Sequence, residues 1–120
     1  MYEINRSVII VVPREPFWYW LKGLPDVDVG ELTLEEIQED SNSYLLPACQ
    51  NWDEVWDAVE ANLETIFAAE LADWWQDETE WPDLHIDIFT EWFDVKVSSI
   101  ATDLAEEEIE REPFEPLDIN

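Results

Sequence analysis

The stretch from Asn51 to Asp77, NWDEVWDAVEANLETIFAAELADWWQD, is the only long segment of this chain that keeps one period throughout. Trp52, Val55, Trp56, Val59, Leu63, Ile66, Phe67, Leu71 and Trp74 follow one another at steps of three or four, which places them along one side of an α-helix. That side is expected to face a core. Asp53, Asp57, Glu60 and Glu64 recur on the opposite side, and the segment contains no Lys or Arg to pair with them. Asn51 is expected to cap the first turn. Glu54 stands at the capping-box position, and both Asp53 and Glu54 suit the positive end of the helix dipole.

The remaining elements are read around this helix. Ser7 to Val12 is a β-branched run that predicts a central strand covered on two sides. Pro13 to Gly23 predicts a short helix whose four successive aromatics cannot all face inward, which leaves Trp18 or Tyr19 at the surface. Pro25 to Leu32 reads as a loop. Thr33 and Glu36 form a capping box for a two-turn helix to Asp40, and Ser43 to Leu46 predicts a second strand that Pro47 limits to an edge or an early stop. A turn at Glu78 to Pro82 precedes a helix from about Leu84 to Phe93, and Val95 to Ala101 predicts the third strand.

The order β-α-α-β-α-α-β predicts an α+β fold in which helical crossovers give a small three-stranded mixed or parallel sheet packed with amphipathic helices. The eight Trp are expected to fill the space between sheet and helices. From Thr102 onward, eight acids and two prolines among nineteen residues, with no periodic apolar partners, predict an acidic C-terminal tail. One globular domain is therefore expected over residues 1–104, with the tail at 105–120.

Charge sets the functional classes. Five Lys+Arg against 31 Asp+Glu give a net charge of −26, a balance that repels nucleic acid and anionic membrane surfaces and predicts a basic partner. At 47% hydrophobic residues the chain is too apolar for an acidic disordered segment. A single Cys49, no basic leader and no apolar run of membrane-span length lead to the expectation of a cytosolic protein.

Catalytic chemistry has few residues to work with. His85 is the only histidine and is read as a surface or satisfied side chain, and Cys49 as a small core residue. Two glycines cannot build a phosphate-cradling loop. The run DVDVG from Asp26 fails the calcium-loop register, which asks for glycine at Glu31 and an acid at Ile37. No cofactor or metal site is expected.

The chain resembles a family of short acidic bacterial proteins through MYEINRSVIIV, TLEEIQEDSNSYLLP, IFAAELADWW and EWFDVKV. The resemblance implies a bacterial cytosolic protein and carries no catalytic or ligand-binding residue.

The residues therefore point to a non-enzymatic acidic protein that binds a basic protein surface, as a regulatory or immunity-type inhibitor. Asp53, Asp57, Glu60 and Glu64 form one expected partner-binding patch, and Glu106, Glu107 and Glu108 a second. DNA mimicry is a first alternative. It is weakened by density: four charges over about 16 Å of helix, at ~1.5 Å rise per residue, are far sparser than duplex DNA with one per ~1.7 Å. A carboxylate-based, metal-dependent enzyme is a second alternative.

Overall fold

The computed structural model of the protein describes residues 1–114. Its frame is the strand β2 (Arg6–Pro13), in which Ser7, Ile9, Val11 and Pro13 are buried and alternate with the exposed or half-buried Arg6, Val8, Ile10 and Val12. The inner face of β2 packs on the core, whereas on the outer face Ile10 remains 37% exposed. β2 is central, as its sequence predicts, but only one of its faces is fully covered. It pairs antiparallel on one side with β3 (Asn42–Pro47) and on the other with β4 (Phe93–Ser98), giving the order β3-β2-β4. Two short strands, β1 (Tyr2–Ile4) and β5 (Ala101–Asp103), form a second antiparallel pair.

This corrects the expected single mixed or parallel sheet: the described residues form an α+β fold with five α-helices and two antiparallel sheets. The reason lies in the number of helices in each connection. One helix after a strand brings the chain back to the strand's starting end and favours a parallel neighbour. Between β2 and β3 there are two, α1 (Glu15–Lys22) and α2 (Leu34–Glu39), so the chain re-enters the sheet at the end it left, with Asn42 opposite Val11. Three α-helices, with a single 3-10 turn at Glu78–Glu80 between the last two, separate β3 from β4, which runs in the same direction as β3 across the intervening β2. The two sheets meet at a break in register. Three residues lie between the paired Ile4 and Val8, against two between their partners Ala101 and Ser98, and the extra residue interrupts the ladder as a bulge does. The expected third strand, Val95 to Ala101, is thus divided between β4 and β5.

The expected long helix is also two helices, α3 (Trp52–Ala61) and α4 (Leu63–Ala72). Asn62 separates them at φ −115° and ψ 15°, and its side-chain amide donates to the Ala58 carbonyl oxygen at 2.8 Å, competing with the backbone for that acceptor. Both helices keep their apolar residues toward the same core, so the period runs across the break without revealing it. The start is as expected: Asn51 Oδ1 accepts from the Glu54 amide at 2.9 Å, and Thr33 caps α2 in the same way. The last helix, α5 (Ile86–Trp92), is capped by His85, whose Nδ1 accepts from the Asp87 amide at 3.1 Å.

Aromatic packing departs from expectation too. Phe17, Phe67, Phe89 and Phe93 fill the centre, each no more than 2% exposed, together with Ile9, Val11, Leu21, Val59 and Leu71. None of the eight Trp is fully buried. Six pack half-buried around this centre, while Trp52 and Trp74, expected on the core side of one long helix, are 56% and 39% exposed at its two ends. Indole needs both area and a hydrogen-bond acceptor, which the rim supplies more readily than the centre. Trp20 Nε1 donates to the Glu80 carbonyl oxygen and Trp81 Nε1 to that of Trp75, each at 2.8 Å. In the first helix Tyr19 is exposed and Trp18 half-buried, as four successive aromatics require.

Candidate interaction surface and a buried carboxylate

α3 exposes the acids that its sequence places away from the core. Asp53, Asp57 and Glu60 are all exposed, and Glu64 is exposed beyond the break, on the first turn of α4. Glu106, Glu107 and Glu108 follow β5 in a stretch without regular secondary structure, where the Tyr2 hydroxyl donates to Glu106 at 3.4 Å. No hydrogen bond or ion pair among the described residues joins these three to α3, so the expected second patch is not tied to the first. Residues 105–114 are exposed, and the final six positions of the tail lie outside the described residues.

The acids are left without counter-charges. Among the described residues no Lys or Arg forms an ion pair, and the carboxylate of Asp87 lies 3.7 Å from His85 Nδ1, the nitrogen that accepts from the Asp87 amide. Three of the five cations are engaged otherwise. Arg6 donates to Asn5, Arg14 donates to the Thr90 carbonyl oxygen, and Lys22 lies over the Trp18 and Tyr19 rings at 5.3 and 4.9 Å. Self-repulsion among the carboxylates should therefore be screened by salt. Raising NaCl from 10 mM to 0.5 M is expected to increase Tm by on the order of 5 °C, the shift that about 1 kcal/mol produces in a domain of this size. A flat or falling Tm would show that the negative charges are already compensated.

Beside the acids of α3 stands an aromatic platform. Trp52, more than half exposed, stacks on Trp56 with ring centroids 6.5 Å apart and planes 18° from parallel. Next to Trp52 is a depression of about 240 Å³ lined in part by Cys49, Val55 and Val97. Ser7 lies at its base, fully buried, with its Oγ accepting from the Cys49 amide at 2.8 Å. The Cys49 thiol donates to the Pro47 carbonyl oxygen at 3.1 Å.

A second constellation was not anticipated from sequence. Glu70, on α4, is only 5% exposed, and its Oε2 accepts from the Tyr44 hydroxyl and from Asn42 Nδ2, the latter at 2.8 Å. Asn42 Nδ2 also donates to Asp73 Oδ2 at 3.0 Å. β3 therefore supplies two donors to a carboxylate on a helix packed against it. Burial raises the Glu70 carboxyl above its ordinary value, an effect that the hydrogen bonds from Tyr44 and Asn42 oppose. Burial, with the Glu70 charge beside it, pushes the Tyr44 phenol well up, so it remains a donor throughout the ordinary pH range. Glu70 was marked in the sequence by its spacing: it lies four residues after Ile66 and three after Phe67, on the apolar side of the helix.

A recess of about 160 Å³ opens over this group, with Phe17, Asp40, Asn42, Asp73 and Trp74 among its walls. No group of three or more His, Cys, Asp or Glu among the described residues is arranged to hold a metal ion. No helix of the described residues is long and apolar enough to cross a membrane. Comparison with protein-family models, with curated proteins and with solved structures finds no match to this chain.

Proposed function

We propose that this protein is a non-enzymatic interaction domain that docks the carboxylate side of α3 on a basic protein, in the manner of a regulatory or inhibitory partner. The observation that carries the reading is the pairing of unneutralised acids with an exposed aromatic platform: Asp53, Asp57 and Glu60 beside the stacked Trp52 and Trp56. Arginine and lysine side chains engage both features at once, since their charge pairs with carboxylates while their stems and guanidinium planes lie against indole. The depression beside Trp52 gives such a partner a place to bury an anchoring side chain, and buried anchors surrounded by a polar rim carry most of the energy of protein interfaces.

The test is capture of partners by the immobilised protein at 50 mM and 0.5 M NaCl, repeated with the variant Asp53→Asn/Asp57→Asn/Glu60→Gln. A basic protein retained at low salt, released at high salt and not retained by the variant is the expected result. As a control for total charge, Asp26→Asn/Asp28→Asn/Glu31→Gln removes three charges from the loop between α1 and α2 and should retain the partner. Equal capture by wild type and the α3 variant would refute the reading.

A further inference from the structure

We propose that the recess over Glu70 binds the ammonium or guanidinium head of an organic cation, with Glu70 Oε1 as its anionic anchor. Both protein donors to this carboxylate, Tyr44 and Asn42, are spent on Oε2. Oε1 accepts no hydrogen bond from any described residue, yet it is not among the atoms sealed from solvent. A side chain 95% buried thus keeps one oxygen unserved, at a recess it lines. That oxygen is therefore open to a donor from outside the chain, and none of the protein's own cations pairs with this carboxylate.

The walls define what kind of cation fits. Asp73 and Asp40 add negative potential from the rim, while Phe17 and Trp74 provide aromatic surface on which a cation and its methylenes can rest. The volume is about five times the ~30 Å³ that one water occupies in the liquid, room for a head group and one or two methylenes. A compact metal ion is not matched, because the acids here do not converge as a ligand set. A larger, diffuse charge with several N–H donors is. The head group can come from a free amine or from a Lys or Arg side chain of a polypeptide. The recess is distinct from the α3 surface, so either assignment can fail alone.

The experiment is a titration of the full chain, followed by the NMR signals of the Asn42 side-chain amide and the Trp74 indole. The probes are n-butylammonium, ethylguanidinium and the peptide acetyl-Gly-Lys-Gly-amide, with NaCl at matched ionic strength as reference. Saturable shifts at both reporters are expected with at least one alkyl cation, with affinity at least tenfold weaker in Glu70→Gln and unchanged in the surface variant Glu64→Gln. Glu70→Gln keeps an oxygen for Tyr44 and Asn42 and is expected to fold. Saturation by the peptide as well supports a polypeptide source, and saturation by the free cations alone supports a small amine. Shifts that NaCl reproduces, or that persist undiminished in Glu70→Gln, would overturn the proposal.

Discussion

Replacing Phe67 with alanine is expected to destabilise the protein by about 3–5 kcal/mol, the cost of removing a fully buried phenyl ring from a packed core. Phe67 is completely buried on α4, where its ring meets those of Phe89, Phe93 and Trp92 edge-on, with centroids 5.5, 5.7 and 6.1 Å away. These three partners come from α5 and the start of β4, so the ring ties the helical layer to the sheet. A domain of this size has a total stability of roughly 5–15 kcal/mol, so the loss would consume much of it. Urea unfolding measures the change directly. Trp52→Ala makes the comparison: that side chain is larger but more than half exposed at the start of α3, and its removal should cost no more than about 1 kcal/mol. Similar costs for the two variants would show that the phenylalanine cluster does not organise the core.

The second large effect centres on Glu70. Tyr44→Phe is expected to cost about 1.5–3 kcal/mol at neutral pH, the range for a hydrogen bond to a charged group, because it leaves the buried carboxylate with Asn42 alone. In a Glu70→Gln background the same change removes only a neutral hydrogen bond, and the cost should fall to about 0.5–1.5 kcal/mol. The sign of the pH dependence follows from burial. Since the Glu70 carboxyl is raised in the folded protein, the folded state holds this proton to higher pH than the unfolded chain does. The stability contributed by this group is therefore fully present below its ordinary unfolded value and is lost as pH rises through the raised one. Glu70→Gln abolishes that loss, so its stability relative to wild type should increase with pH across that window. A relative stability that is flat with pH would mean that the hydrogen bonds balance desolvation, and one that falls that they outweigh it.

Particular residues explain which parts of this structure could be read in the sequence. Local rules acted where one side chain decides one backbone group, so the caps at Thr33 and Asn51, the loop after Gly23 and the edge position of β3 were all legible. The direction of β4 was not: it depends on how many helices intervene, and a period that continues through Asn62 hides the division between α3 and α4. The two helices between β2 and β3 stand in the sequence, and an antiparallel β3 follows from that number rather than from the crossover of a single helix. Glu70 was passed over because, among 31 acids, one more carboxylate draws no attention unless its place on the apolar side is weighed. The donors that hold it, Asn42 and Tyr44, lie 28 and 26 residues away, a distance no local pattern spans. The exposed acids of α3 were the easier reading, since helical spacing alone sends Asp53, Asp57 and Glu60 outward.

The affinity of the captured basic protein for wild type and for Asp53→Asn/Asp57→Asn/Glu60→Gln, measured as NaCl is raised, puts the docking role of α3 to the sharpest trial. Binding to wild type should weaken steadily with salt. The α3 variant should bind at least tenfold more weakly at 50 mM and show a shallower salt dependence, while the loop control follows wild type. An α3 variant that matches wild type at every salt concentration would contradict the account.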